Sequence, residues 1–465
     1  MMGRWPGWRE MVRQRRKRVP ATVEPLARED LAILRLESAT VAGHTLKIAI
    51  LEPSAAGRQL DVAALRARVA ERIERAPQLR RRLCTGARGR GAAWVDDPGF
   101  DVREHVRAGP VAKPLSHHDL RRVCARMMEE RLDRTRPLWR IDVLAPLQAG
   151  GAAVVCSLHH SLADGATAIR LAHDVLWDTP ARPEYQNAGE RSSPLGDLGD
   201  WLAARRPGRL PGTLRRELKR THTRSPFDGD IGSSREVAFA STPLGALKLA
   251  AKALVPEATV NDAVLALVAG GLRQWMEVRG GPLENVRVKV PVSLHQRAES
   301  ASAVNRDSFF CVGLPLAEAD PAVRLRRINE ETALRKRARD PLVLDTLLRD
   351  LGRVAPPLGH VLEGLTLDPH AFALNVSNIV GPYERPSVLG ASVKAFYSVA
   401  EINERQGLRV AVVSMADELH FGLCADPAIV GELDPLVTGI EAEAAALADR
   451  ARAPVPAPRR VTSPR

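Results

Sequence analysis

The feature that most limits the folds open to this chain is an apolar strand that ends in two histidines and turns into a helix. Residues 152–158 (AAVVCSL) are apolar at nearly every position, which is typical of a strand in the middle of a sheet. His159 and His160 follow directly, and from residue 165 onward apolar residues recur at helical spacing. A strand that leads through a short loop into a helix predicts an α/β fold.

The residues before this strand predict an antiparallel partner for it. Apolar and polar residues alternate over residues 139–143, which is typical of a half-buried strand, and residues 148–151 (QAGG) form a turn signal. A turn centred there places the two histidines opposite Leu138 and Trp139. Pro137 at the start indicates that the partner is an edge strand carrying a core tryptophan.

The chain is too long for one ordinary core, since it has 465 residues, and this predicts two α/β domains. Residues 181–235 hold the densest run of Pro, Gly and Ser, so we assign them to a linker or crossover. It separates a first domain at 25–180, which carries the histidines, from a second at 236–449. Residues 1–24 form a basic extension and residues 450–465 a tail predicted to be disordered.

The predicted second domain also mixes helices and strands. Its apolar periodicity predicts a long helix over residues 260–276, strands over 286–294 and 373–380, and a hairpin over 408–425. Both halves therefore have the mixed composition of an α/β unit.

A net charge of +13 has two interpretations. It favours contact with anionic lipid surfaces or with the phosphates of coenzyme A, or it reflects only the abundance of arginine along the chain. Trp5 and Trp8 lie among basic residues at the start, a composition typical of an interfacial anchor or of a disordered tail. The amino terminus lacks the apolar core of a signal peptide and no apolar run is long enough to span a bilayer, so we expect a cytoplasmic protein.

Several classes of site are disfavoured by what the sequence lacks. The five cysteines are scattered and never form a CxxC pair, which fits neither a disulfide framework nor a zinc site. Adjacent histidines on a strand point apart and have no carboxylate-rich neighbours, so we predict no metal. A GxSxG elbow and a GxxxxGK[ST] loop are both missing from the sequence, which disfavours hydrolases and nucleoside-triphosphate enzymes.

The stretch HHSLADG, residues 159–165, carries the strongest chemical signal. An imidazole titrates near neutral pH and can act as a general base worth about 10²–10⁴ in rate. Because neighbouring residues face opposite sides of a strand, one histidine can act as base while the other packs or orients it. Asp164 is placed to cap the following helix or to form a buried salt bridge, and Gly165 to allow a special conformation or a close approach.

These residues resemble a known family. HHSLADG fits the HHxxxDG motif of the coenzyme A-dependent acyltransferase superfamily, and RPLW resembles an element that precedes the histidines in bacterial wax ester synthase/diacylglycerol acyltransferases. The likeness extends from about Leu26 to Leu447. Residues 259–266 (TVNDAVLA) resemble that family's ND motif, and residues 375–382 (NVSNIVGP) and 419–426 (LHFGLCAD) resemble its carboxy-terminal region.

The resemblance implies two chloramphenicol-acetyltransferase-like domains of α+β type, with mixed sheets and an active-site tunnel between them. It implies that His160 deprotonates a diacylglycerol or long-chain alcohol, which attacks a long-chain acyl-coenzyme A to give triacylglycerol or wax ester. Acyl-coenzyme A is then a co-substrate, and no cofactor is expected. His159 and Asp164 support catalysis, and substrate binding or structural support falls to Gly165, Pro137, Leu138, Trp139, Asn261, Asp262 and Asn378. Thr259 and Asp262 also form a helix-capping pattern, so the ND pair has a structural interpretation.

Two other functions stay open at this point. One is an acyltransferase or condensation-like enzyme that uses a carrier-protein thioester, and the other is a non-catalytic lipid-binding relative. The chain departs from the family pattern at His295, where an arginine is usual, and at Asn305, which follows valine instead of glycine. These departures concern the alcohol end of the site. We expect peripheral contact with anionic membrane or lipid droplets and no nucleic acid partner.

Overall fold

The computed structural model describes residues 23–53, 59–85, 92–111, 113–179, 210–217, 225–293, 307–338, 340, 343–344, 347 and 371–453. Nearly all of the predicted basic extension and of the predicted tail lies outside these residues, as does much of the predicted linker. His295 and Asn305 also lie outside them.

The helices and strands follow the mixed order that the sequence predicts. The strands are β1 Val23–Pro25, β2 His44–Leu51, β3 Arg81–Thr85, β4 Ala92–Asp96, β5 Val106–Ala108, β6 Trp139–Leu144, β7 Ala152–His159, β8 Glu236–Pro243, β9 Asn285–Ser293, β10 Asp307–Pro315, β11 Leu374–Ile379, β12 Ser387–Val388, β13 Ala391–Ala400, β14 Leu408–Met415 and β15 Glu418–Ala425. The helices are α1 Arg28–Leu36, α2 Val62–Arg72, α3 Val102–His105, α4 His117–Glu129, α5 Gly165–Val175, α6 Leu210–Glu217, α7 Leu244–Leu254, α8 Val260–Val278, α9 Pro321–Ala338, α10 Pro427–Val430 and α11 Asp434–Arg452.

The first large sheet has β7 at its centre. Its order is β12-β13-β2-β7-β6-β5, and β7 runs antiparallel to both β2 and β6. Trp139 pairs with Leu158, and Leu138 accepts a hydrogen bond from the backbone N–H of His159, which confirms the predicted hairpin with a register that differs by one residue. The prediction of an edge strand is wrong, because the short β5 pairs in parallel with the outer side of β6.

The second large sheet is also mixed, in the order β10-β9-β11-β14-β15-β8. Strand β11 is parallel to β9 and β14, and the other pairings are antiparallel. Helix α8 is buried along most of its length against this sheet and α11, which explains why it is apolar on nearly every face. A capping box between Thr259 and Asp262 begins α8, as the sequence predicts.

A strand from the second half of the chain completes the first sheet. In β13, Tyr397 pairs with Ile48 of β2, although β13 belongs by sequence to the predicted second domain. The same strand lies against β15, where a side chain at Gly422 would come within 2.1 Å of the Ser398 carbonyl oxygen. The two large sheets therefore meet along β13, while the exact domain limits stay a prediction.

No helix within the described ranges is both long enough and apolar enough to cross a membrane. All five cysteines are free thiols, and Cys84 is exposed while Cys124, Cys311 and Cys424 are buried.

Candidate active site

His159 is held on both sides of its ring. Its Nδ1 accepts a hydrogen bond from the backbone N–H of Ser161 at 3.1 Å, so the ring proton lies on Nε2. Nε2 donates that proton to Oε1 of Glu37 at 2.9 Å, and only 3% of His159 is exposed. With both nitrogens engaged and the ring buried, this histidine is suited to fixing the loop that carries His160.

Glu37 anchors this arrangement from the turn before β2. Burial raises its pKa, but hydrogen bonds from His159 and Arg134 outweigh burial and hold the pKa of Glu37 below its usual value. The Arg134 guanidinium lies 2.6 Å from the carboxylate. Gly43, at φ +76°, lies beside the pair, and a Cβ there would come within 2.7 Å of His159 Nε2. The Gly43 carbonyl also accepts from the backbone N–H of His160 at 3.0 Å.

His160 is half-buried at the end of β7, and its Nδ1 is enclosed. Burial lowers its pKa to about 4, and the positive charges of Arg409 and Lys47 act in the same direction, while Asp164 opposes them. The imidazole is therefore neutral at physiological pH, the protonation state that a general base requires.

Two basic residues that the sequence analysis missed contribute to this electrostatic environment. Lys47 of β2 is buried and donates to Ser398 Oγ at 2.6 Å, and burial lowers its pKa to about 8. Arg409, the second residue of β14, is half-buried and donates to the Glu401 carbonyl at 2.9 Å. The sequence signal for Lys47 is one lysine directly before the apolar run IAIL in the strand HTLKIAIL. One cation comes from each large sheet.

Asp164 and Gly165 have the structural roles that the sequence predicts. The Asp164 carboxylate caps α5 by accepting from the backbone N–H of Thr167 at 2.6 Å. A Cβ at Gly165 would lie 2.1 Å from Cδ1 of Ile379, so the glycine permits a close approach. Ile379 belongs to β11 and follows Asn378, which places this predicted residue next to the HHSLADG loop.

The remaining predicted residues support the loop or lie in other contacts. Trp139 donates from Nε1 to the Leu79 carbonyl at 2.6 Å and stacks on His105 with ring centroids 4.5 Å apart. Pro137, which lies two residues before β6, forms an isolated antiparallel β-bridge with Arg82. Asp262, beside Asn261, accepts hydrogen bonds from Thr332 and Asn329 of α9 and so joins α8 to α9. These bonds favour the structural interpretation of the ND pair.

In the part of the chain that the structure describes, no three or more His, Cys, Asp or Glu side chains group in a way that could hold a metal ion.

The depressed pKa of His160 predicts an unusual pH profile. A protonated imidazole cannot accept a proton, so base catalysis is present above the pKa of His160 and lost below it. We expect kcat/KM to stay level from about pH 7 down to about pH 5.5, and to fall on the acid side only near the pKa of about 4. Arg409→Met removes a positive charge, so the acid limb should move up by roughly one pH unit, whereas Arg409→Lys should leave it in place. A wild-type profile whose acid limb lies at pH 6.5 would contradict the assignment of this limb to His160.

Removing the anchor of His159 should impair turnover more than binding. Glu37→Ala leaves His159 Nε2 without its acceptor, and we expect kcat to fall up to about 10²-fold with little change in KM, because the loop no longer fixes His160. Glu37→Gln keeps an acceptor oxygen and should recover much of the loss. Glu52→Ala, an exposed glutamate after β2, is the matched control. Equal rates for Glu37→Ala and Glu52→Ala would refute the positioning role.

The site lies at the end of a central strand, in the motif HHSLADG, between two mixed sheets that meet along strand β13. These features define a protein with the two-domain chloramphenicol-acetyltransferase-like fold. A profile of the wax ester synthase/diacylglycerol acyltransferase catalytic domain matches residues 26–216, and one of the WS/DGAT C-terminal domain matches residues 304–448. The chain belongs to the wax ester synthase/diacylglycerol acyltransferase family.

Curated relatives agree with this assignment. A putative diacylglycerol O-acyltransferase of Mycobacterium bovis is 28% identical over 438 residues, which cover 89% of this chain and 96% of the relative. A probable diacylglycerol O-acyltransferase of Mycobacterium tuberculosis is 27% identical over 376 residues, 75% of this chain and 79% of the relative.

Solved structures show the same fold. The wax ester synthase/diacylglycerol acyltransferase of Marinobacter aquaeolei superposes with a TM-score of 0.68 at 24% identity, over 92% of this chain and 99% of that one. The first condensation domain of the calcium-dependent antibiotic synthetase superposes with a TM-score of 0.57 at 16% identity, over 92% of this chain and 96% of that one.

Proposed function

We propose that the protein is an O-acyltransferase that moves a long-chain acyl group from acyl-coenzyme A to a diacylglycerol or long-chain alcohol, with His160 as general base. The observation that carries the proposal is a neutral, half-buried His160 whose loop is fixed by the Glu37–His159 hydrogen bond and the Asp164 cap. The match to the catalytic-domain profile and the names of the mycobacterial relatives support the reaction class.

The chemistry is a direct transfer. Because Nδ1 of His160 is enclosed, Nε2 is the nitrogen that we propose takes the proton of the acceptor hydroxyl. The oxygen forms a bond to the thioester carbonyl carbon, and the carbon–sulfur bond then breaks. The departing sulfur recovers the proton from His160, so that the products are an ester and free coenzyme A. Preorganised positive charge from Lys47 and Arg409 favours the negative charge that develops on the carbonyl oxygen.

The proposed role of the other motif residues is to hold this geometry. His159 and Asp164 fix the loop, while Gly165 lets Ile379 of the second sheet approach it. Acyl-coenzyme A is the proposed co-substrate, and nothing in this scheme requires another cofactor. The two substrates are proposed to reach His160 through a tunnel between the domains.

The proposal is tested by following thiol release. Purified protein is incubated with palmitoyl-coenzyme A and, in separate reactions, with a diacylglycerol, with hexadecanol and without acceptor. We expect acceptor-dependent release together with triacylglycerol or wax ester in the extracted lipid. Release that never depends on an acceptor would overturn the transferase assignment, and activity only with an acyl-carrier-protein thioester would favour the carrier-dependent alternative.

Contact with a lipid surface is a second part of the proposal. The net charge of +13 and the basic segment that holds Trp5 and Trp8 support attraction to anionic lipid. We propose a cytoplasmic protein that binds peripherally to membrane or lipid droplets. Deletion of residues 1–20 should weaken binding to phosphatidylserine vesicles at low salt, and unchanged sedimentation with the vesicles would refute this role.

A further inference from the structure

Strand β11 of the second sheet turns one of its faces toward the catalytic loop. Ile379 and Val413, which pair across β11 and β14, both pack against the core of the first sheet. Val376 and Val412, on the opposite face, belong to the core that surrounds α8. A Cβ at Gly165 would lie 2.1 Å from Ile379 Cδ1, so the face that carries Ile379 lies directly against the HHSLADG loop.

Ser377 is the polar residue of this β11 face that lies nearest to the loop. Side chains two positions apart lie on the same side of a strand, so Ser377 shares the face of Ile379 and precedes it by about 7 Å along β11. Asn378, which the sequence analysis selected, lies on the other face, where it pairs with Val412. Alternation along the strand therefore favours Ser377 over Asn378 as the residue of β11 that meets a substrate at the loop.

The hydroxyl of Ser377 is available to a ligand. Within the described part of the chain this hydroxyl makes no hydrogen bond, and the residue is only half-buried. Its neighbour on β14 is Ala411, whose methyl group covers little of the surface beside it. Asn375, on the same face of β11, is buried and already donates to Gln406 Oε1 at 3.4 Å. The donor that this face offers to a bound molecule is thus Ser377.

The two cations that act on His160 point to the same space between the sheets. Arg409 pairs with Asn375, two residues before Ser377 on β11. Lys47 approaches from the first sheet, where its ammonium group bonds to β13, the strand along which the two sheets meet. Both cations lower the pKa of His160, so the imidazole lies within electrostatic reach of both, in the space that Ser377 also faces.

The carbonyl oxygen of a thioester needs a directed donor while it gains negative charge. One such donor is worth about 10²–10³ in kcat. Lys47 already donates to Ser398, and Arg409 donates to the Glu401 carbonyl, so each cation is tied to a protein partner. A serine hydroxyl can rotate toward an acceptor and donate a single, well-aimed hydrogen bond.

We propose that Ser377 is this donor and thus a further catalytic residue of the acyl transfer. Its hydroxyl donates to the thioester carbonyl oxygen while the acceptor oxygen attacks the carbonyl carbon, and it keeps its own proton throughout. The proton of the acceptor still passes to His160 and then to the departing sulfur. This inference rests on the proposed function, and it gives the base to the first half of the chain and the oxyanion donor to the second.

The kinetic test compares two side chains of nearly equal volume. Ser377→Val removes the hydroxyl, whereas Ser377→Thr keeps it. We expect kcat to fall about 10²-fold for Ser377→Val with little change in KM, and Ser377→Thr to recover most of the loss. Ser377→Ala, which adds no volume, should match Ser377→Val in case the larger residue disturbs the strand. The acid limb of the pH profile should stay in place, because no charge beside His160 changes.

Ser392→Ala is the matched control. Ser392 is also a half-buried strand serine, but it lies on β13 where that strand pairs with β12, at the far edge of the first sheet. Its removal should leave kcat and KM unchanged. If Ser377→Ala turns over as fast as Ser392→Ala, or if Ser377→Thr loses as much as Ser377→Val, the inference is overturned.

A spectroscopic test detects the hydrogen bond itself and needs no turnover. The dethia ketone analogue of palmitoyl-coenzyme A has a methylene group in place of the sulfur, so it keeps the carbonyl but cannot release a thiol. The isotope-labelled carbonyl is followed by infrared difference spectroscopy of the complex. We expect a lower stretching frequency in the wild type and Ser377→Thr than in Ser377→Ala, because a donated hydrogen bond weakens the C=O bond. Equal frequencies in all three would overturn the inference.

The two proposals fail in different ways. Wild-type protein that releases no thiol with any acceptor would contradict the proposed function, while the carbonyl band of the bound ketone would still show whether Ser377 donates to it. Wild-type protein that transfers the acyl group, but whose carbonyl band is the same in Ser377→Ala, would overturn only the role of Ser377.

Discussion

His160→Ala is expected to lower kcat/KM for thiol release by about 10²–10⁴, because the variant has no group at this position to accept the hydroxyl proton. The substrate sites should persist, so the loss should fall mainly on kcat. The measurement is a steady-state titration of acyl-coenzyme A at fixed acceptor, with the wild type at the same pH.

His118→Ala is the matched control for this substitution. His118 lies exposed on α4, so its removal should leave both kinetic constants unchanged. Circular dichroism of the two variants should coincide with that of the wild type, which separates lost chemistry from lost structure. If His160→Ala keeps more than half of the wild-type kcat/KM, His160 is not the base.

Arg235→Met is expected to cost about 3–5 kcal/mol of folding free energy, because it leaves a buried carboxylate without its partner. Only 1% of the Arg235 side chain is exposed, and its Nε donates to Glu401 Oε1 at 2.9 Å. The same guanidinium donates to the carbonyls of Gly232 and Thr40. Glu401 in turn accepts from the backbone N–H of Ala42. This ion pair therefore joins the start of β8, the end of β13 and the turn beside His160.

Urea unfolding of Arg235→Met measures this cost. The double variant Arg235→Met/Glu401→Leu should recover part of the loss, since the buried charge is gone. Burial already raises the pKa of Glu401 against the influence of Arg235, so the single variant should also lose less stability at acid pH, where the carboxyl is protonated. Arg385→Met breaks a largely exposed pair with Glu418 and should cost less than about 1 kcal/mol. Equal costs for the two arginines would refute the role assigned to Arg235.

Much of the local structure at the site could be predicted from the sequence. Continuous apolar character predicted the central position of β7, and the QAGG turn fixed its register against β6 within one residue. The caps at Asp164 and Thr259 were also predicted, because capping depends on residues three positions apart or fewer. These features depend only on residues that are close together in the chain, so the local sequence is sufficient to predict them.

The parts that escaped prediction depend on pairs far apart in the chain. Glu37 and His159 are 122 residues apart, so nothing in the sequence around Glu37 marks it as the anchor of a histidine. Arg409 lowers the pKa of His160 from the other sheet, a contact that only the fold creates. The wrong prediction of an edge strand has the same origin, because no residue near Pro137 indicates that the three-residue β5 pairs with β6.

Strand β13, which belongs by sequence to the predicted second domain, also determines when the first sheet can be completed. One edge of strand β2 pairs with a strand that lies about 350 residues later in the chain, since Lys47 pairs with Ser398. During synthesis the edge of β2 therefore stays uncovered until the ribosome has released most of the chain, and loop-closure entropy slows the pairing. Truncated products that end before residue 391 would present that open strand edge, which makes them prone to aggregation. The second edge of β2, the strand that also pairs with β7, is thus covered late in synthesis.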